Sequence, residues 1–346
     1  VTKIVARATD SDSNRRETPT PKESGSRVYL LVQWATQQRE LTVVLVTLSV
    51  IIYFGIANSA FYTTANIITI CQYLASFAVI GFGEVLILSL GEIDLSAGAV
   101  YLSSPWFMYF FWHNGMPIGW AIVASMACCA VIGMINGLIT VWLNVSSLIV
   151  TLAVNYALFG IVLIGSNDIQ VDMPGQTGLF SIIFGVGAWS TTLWAAAIML
   201  TIWALLKRTR FGLHITATGG NLLAAAESGI RVRRVKVWCF IIISCASGLI
   251  GILDAIRIGT VNPGSSGLDT VLPGIVAAVV GGTALTGGRG TIFGAALGAI
   301  FLGVLEDGFN LIGVNANWFY LAEGVMILVA MIANTQLGDL ARRIRR

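Results

Sequence analysis

From residue 41 to residue 206 the chain contains no lysine or arginine, and most of that stretch is divided among long apolar runs. The runs 41–57, 67–90 and 119–142, and further on 235–256, are close to or above the roughly 20 residues that a helix needs to cross the hydrocarbon of a bilayer. In lipid, backbone N–H and C=O groups have no water to turn to, and a continuous apolar run meets that constraint as a helix that pairs them within itself. Only 11% of the residues are charged, against about 25% in soluble domains, which excludes a water-soluble fold. The expected class is an all-α polytopic membrane protein of about ten transmembrane helices.

The basic residues set the orientation. Residues 1–40 hold seven Lys or Arg, 207–236 hold seven and 342–346 hold four, eighteen of the twenty in the chain. Loops rich in these residues stay on the cytoplasmic side, so all three segments are expected inside, with an even number of crossings between them. Hydropathy places six crossings before residue 207 (41–57, 67–90, 96–112, 119–142, 146–164, 190–206) and four after 236 (235–256, 272–286, 291–306, 318–334). Trp112, Trp120, Trp142, Trp189 and Trp318 fall at span ends, where an amphipathic ring suits the headgroup layer. Residues 1–40 read as a cytoplasmic tail, polar and disordered to residue 27, with a possible interfacial helix at 28–38. They contain no apolar signal segment, so the first span is expected to remain in the mature protein. The transmembrane region is 41–334, with 335–346 a basic cytoplasmic tail.

Cys71, Cys128, Cys129, Cys239 and Cys245 all lie in apolar runs, where a thiol behaves as a small hydrophobe, and His113 and His214 have no ligand-like neighbours. Neither a disulfide framework nor a metal site is expected.

Glycine clusters at 91–98 (GEIDLSAG) and 281–294 (GGTALTGGRGTIFG) each join two apolar runs of which at least one is short for a full crossing. Broken helices of this kind occur where backbone lines a cavity or a pathway. Gly290, Gly294 and Gly298, at four-residue spacing, read instead as a close-packing face. Glu92 and Asp94 add carboxylates to the first break, and Asp94 or Ser96 could cap the helix that follows it. Ionisable residues within spans are costly and usually serve a pathway or a partner. Asp254 has Arg257 three residues on as a structural partner, whereas Glu84 has none in view and is a pathway candidate.

The basic loop 207–236 contains GGNLLAAAESG, in which Asn221 can cap a short helix 222–228 that Gly229 ends. Ala224, Ala225 and Ala226 leave it a smooth face, and a two-turn helix alone in water is marginal, so it is expected to dock on another protein or on the chain's own inner surface. There is no GxxxxGK[ST] sequence, and GGRGT lacks the lysine that reaches a nucleotide phosphate. Three classes of function stay open on these residues: a permease driven by a separate ATPase, a proton-coupled secondary transporter, and a membrane scaffold or receptor.

Four blocks in order, LILSLGEIDLSAGAV (86–100), GMINGLITV (133–141), the loop 209–236, and VVGGTALTGGRGTIFGAALGAIFLGVLEDGFNLIGV (279–314), resemble the permeases of ribose, xylose and autoinducer-2 type within the binding-protein-dependent ABC importers. That superfamily also includes branched-chain amino acid permeases, and an amino acid cargo is the alternative within it. The resemblance implies a subunit of a bacterial inner-membrane importer, paired with a second permease chain, a cytoplasmic ATPase that uses ATP and Mg, and an extracytoplasmic sugar-binding protein. It implies no cofactor in this chain and no nucleic-acid partner. The positions that match the ATPase-coupling segment are Gly219, Gly220, Asn221, Ala225, Ala226, Glu227 and Gly229. Departures from the family pattern are Glu92 in place of a second glycine, Glu306 and Asp307 in place of an Asn pair, and Ser147, Leu148 and Ile149 before the fifth span's Thr-Leu. The expected cargo is a neutral sugar or polyol, with Glu84, Glu92, Asp94, Asn136, Thr151, Asn155 and Asn310 as pathway candidates.

Overall fold

The computed structural model describes residues 39–173, 182–265, 267–315 and 317–329. The expected interfacial helix at 28–38, the 335–346 tail and almost all of the 1–40 tail lie outside these residues.

The apolar runs form helices α1 Arg39–Ala57, α2 Thr64–Ser89, α3 Ala97–His113, α4 Ile118–Trp142, α5 Ser147–Ser166 and α6 Ser190–Arg208. Two short helices, α7 Arg210–Gly220 and α8 Leu222–Glu227, follow within the basic loop. The chain then forms α9 Val232–Ile258, α10 Leu268–Val280, α11 Ile292–Leu311 and α12 Asn317–Val329. Each expected span thus coincides with a helix, and among the described residues six (α2, α4, α5, α6, α9, α11) are long and apolar enough to cross a membrane unaided.

The eighth span differs from expectation. Rather than covering 272–286, α10 starts at Leu268 and stops at Val280, because Gly282 turns left-handed (φ 97°) and the Thr283 N–H closes onto the Ala278 carbonyl at 3.0 Å. Thirteen residues span only about 20 Å, well short of the hydrocarbon thickness, so α10 is a half-span. It is sheltered by α2 and α11: a Cβ on Gly294 would stand 1.9 Å from the Gly281 carbonyl oxygen, and one on Gly298 2.2 Å from that of Ala277. The four-residue glycine repeat is a packing face.

Helices α2 and α9 form the spine, with 78% and 72% of their apolar windows buried, against 28% for α4, α5 and α6. The outer helices turn Leu, Ile and Val outward, a surface that water would not tolerate and that lipid matches.

Polar contacts define two ends of the bundle. At one, Glu92 meets Lys236, the Ile93 N–H meets Ser147, and the Gly288 N–H bonds the Ser89 carbonyl at 2.9 Å. This end carries the basic loop. At the other, Asn58 donates to the Leu311 carbonyl and Asn66 to Asp307, both at 2.8 Å. A two-residue antiparallel pair, β1 Val171–Asp172 with β2 Thr260–Val261, lies at this second end, too short to be legible in the sequence.

The Asp254–Arg257 pair is present at 3.0 Å and belongs to a larger network. Ser76 and Tyr101 both donate to the second Asp254 oxygen, and Arg257 reaches Gln72 at 3.2 Å, so α2, α3 and α9 are joined through one carboxylate.

Candidate functional site

Helix α2 ends in a Schellman turn, with Gly91 left-handed (φ 78°), its N–H on the Leu88 carbonyl and the Glu92 N–H on that of Ile87. Only position 91 needs glycine. Glu92 adopts no left-handed backbone, so a carboxylate is accommodated there without strain.

The extended residues between α2 and α3 expose backbone groups that lipid could not satisfy, and α5 satisfies them. Ser147, Thr151 and Asn155, four residues apart on one face, bond in turn the Ile93 N–H at 3.2 Å, the Leu95 N–H at 3.0 Å and the Leu95 carbonyl at 2.8 Å. Asp94 accepts from the Ser96 N–H at 2.8 Å and the Ser96 hydroxyl at 2.6 Å, and Ser96 in turn accepts from Asn136 at 2.7 Å. Of the two expected caps, Asp94 therefore closes the start of α3, while Ser96 makes no side-chain cap.

The pathway candidates thus divide. Asn136, Thr151 and Asn155 have roles in holding the break. Their connection to it was absent from the sequence expectation, as was Ser147's part in the ladder. The signal that was available is the polar stripe 147–151–155 on an otherwise apolar span. Glu84 and Asp94 are fully buried side by side, and both Glu84 oxygens and one Asp94 oxygen lack a hydrogen-bond partner among the described residues. The Glu92 carboxylate pairs with Lys236 at the start of α9. Asn310 stands exposed at the opposite end, beside the Asn58–Leu311 contact, and does not join the group.

The basic loop is folded against the break. Thr209 caps α7 through the Gly212 N–H at 3.3 Å. Asn221 caps α8 through the Ala224 N–H at 3.0 Å. Left-handed Gly229 (φ 82°) ends α8 in a Schellman turn, the Ile230 N–H reaching back to the Ala225 carbonyl at 3.1 Å. The helix expected at 222–228 is therefore there, but its residues face different ways. Ala225 is buried, whereas Gly220, Asn221, Ala226, Glu227 and Gly229 are exposed together with Leu222 and Leu223. Gly219 faces inward. A Cβ there would lie 1.8 Å from the Ser89 carbonyl oxygen and 2.7 Å from the Gly288 nitrogen. Gly219 is thus part of a backbone seam joining the end of α7, the end of α2 and the 281–291 loop.

Residues 66–331 match the family model described as branched-chain amino acid transport system, permease component. Among curated proteins, the chain is 34% identical to the xylose/arabinose import permease XylH of Sulfolobus acidocaldarius, covering 85% of this chain and 84% of that protein. It is 29% identical to the ribose import permease RbsC of Escherichia coli K12 (92% and 99%) and 35% identical to the galactose/methyl galactoside import permease MglC of Haemophilus influenzae (62% and 66%). No solved structure matches the chain significantly. With its helical membrane fold, its broken spans and a family match over residues 66–331, this chain belongs to the permease components of ABC importers, alongside the permeases that import sugars.

Proposed function

We propose that this chain is the membrane-spanning subunit of an ATP-driven importer for a neutral monosaccharide or polyol, docked through α8 to a separate cytoplasmic ATPase and fed by an extracytoplasmic binding protein. The relatives at 29–35% identity are named for xylose, arabinose, ribose and galactose, which supports a sugar rather than an amino acid cargo. ATP and Mg act on the partner ATPase. The permease works beside a second permease chain in the cell membrane, with both termini and the 207–236 loop in the cytoplasm, as the clustering of Lys and Arg supports.

The observation that carries the coupling role is the backbone seam at Gly219. The exposed face of α8 (Leu222, Leu223, Ala226) presents apolar surface to a partner, and α7 abuts the last turn of α2 without intervening side chains. A push on α8 is therefore delivered to Ser89, and through Gly91 to the break that Asp94, Asn136, Thr151 and Asn155 hold closed. Main-chain contact transmits displacement because close-packed interiors are not compressible.

The test is reconstitution of the permease with its ATPase and binding protein in vesicles. ATP-dependent uptake of labelled xylose, ribose or galactose is expected. Leu223→Glu is expected to abolish ATPase co-purification while the permease still inserts. Uptake by the permease alone, or ATPase association that survives this substitution, would remove the coupling assignment.

A further inference from the structure

Two separate spaces lie between α3 and α5. One, at the end remote from the basic loop, is a cleft of about 280 Å³ between Trp106, Tyr109, Phe110 and His113 of α3 and Gly165 and Ser166 of α5. The second space, about 10 Å³, lies between Leu102 and Ser103 of α3, Phe159 and Val162 of α5, and Asn262, Pro263, Ser265 and Gly267. That is the size of a single water. At the inner end α5 meets the break through the Ser147, Thr151 and Asn155 bonds.

The cleft has the chemistry of a sugar site. Positions 106, 109, 110 and 113 share one helix face, and their rings form two stacks: Trp106 on Phe110 with centroids 5.7 Å apart, and Tyr109 on His113 at 5.3 Å. Such stacks give rigid, flat apolar walls. Sugar rings carry apolar C–H faces and a rim of hydroxyls that must keep hydrogen bonds when desolvated, and His113, Asn114 and Ser166 supply polar atoms at the edge. The opposite wall approaches closely only because residue 165 is glycine, where a Cβ would stand 2.2 Å from the Trp106 ring. A volume near the lower end of small-molecule pockets suits one monosaccharide.

We propose that this aromatic cleft is the entry subsite for the transported monosaccharide. The proposal rests on the sugar-import reading above. It places sugar recognition on α3, in addition to whatever the binding protein recognises.

The test uses the complete importer in vesicles. Ser166→Cys is labelled from outside with a membrane-impermeant maleimide, with the unsubstituted protein reporting the native cysteines. Sugar-loaded binding protein with ATP is expected to slow labelling at least fivefold, and sugar-free binding protein is not. In parallel, Phe110→Ala and His113→Ala are expected to reduce uptake about tenfold each, in complexes that still co-purify with the ATPase. Labelling that is equal with and without sugar, or variants that assemble normally and transport within twofold of wild type, would overturn the subsite. Failure of the unsubstituted importer to take up any monosaccharide would instead overturn the sugar-import reading.

Discussion

Gly219 and Gly220 are neighbours in sequence at the end of α7, yet an added methyl group meets opposite surroundings at the two positions. At Gly219 a Cβ would lie 1.8 Å from the Ser89 carbonyl oxygen, 2.7 Å from the Gly288 nitrogen and 2.9 Å from the Ser89 carbonyl carbon, all main-chain atoms that cannot rotate away. Restoring ordinary van der Waals separation requires about 1.5 Å of relative backbone movement, which also strains the Gly288 N–H bond to Ser89. Overpacking of this kind costs about 1–3 kcal/mol, or about 5- to 150-fold in the equilibrium between the seated and displaced positions of α7. At Gly220 nothing lies within 4 Å of the added atom, the backbone is not left-handed, and alanine is the better helix former. Gly219→Ala is therefore expected to lower the thermal midpoint of the purified permease by several degrees and to cut ATP-driven uptake at least fivefold. Gly220→Ala is expected to leave both unchanged or slightly improved. Equal behaviour of the two variants, or a stable and fully coupled Gly219→Ala, would refute the seam as the connection between the loop and the break.

Three further outcomes follow from the contacts described. Thr151→Val keeps the shape of the side chain but leaves the Leu95 N–H unpaired, at a cost of about 1–3 kcal/mol, so a cysteine placed at Leu95 should react faster with a thiol reagent than in the Thr151 parent. Glu92→Gly removes a pair with Lys236 whose side chains are only 16% and 14% exposed. It leaves the Lys236 ammonium without its carboxylate in a largely buried setting, so denaturation of the purified protein should show a loss of about 1–3 kcal/mol, with Glu92→Gln losing less. Arg257→Leu leaves the nearly buried Asp254 with only its Ser76 and Tyr101 donors, and denaturation of the purified protein should show a loss of about 3 kcal/mol, with Asp254→Asn in the same background restoring part of it.

The helices were legible because their causes are local. Each expected span coincides with a helix, Asn221 caps α8 from three residues away, and Gly229 ends it. The interval of four between Gly290, Gly294 and Gly298 announced a packing face in the same way. Less could be read where one residue's setting depends on another element. The apolar run continues past Val280, but α10 stops there, where Gly281 packs against the backbone of Gly294 on α11 and Gly282 turns left-handed.

What the sequence by itself determined is the membrane class, the approximate spans and the presence of a capped helix in the 207–236 loop. These follow from transfer energies and hydrogen bonds that act within about one helical turn. Only the tertiary structure decided what the polar residues inside the spans do. Glu92 pairs across 144 residues with Lys236, and Thr151 and Asn155 bond backbone 56 and 60 residues away. Gly219, which reads in sequence as part of an exposed loop, is seated on the backbone of Ser89. A buried polar group must find a partner, but which partner it finds is set by how the helices pack. At the GEIDLSAG break that packing brings Asn136, Thr151 and Asn155 into hydrogen bonds with Ser96 and the backbone of Leu95.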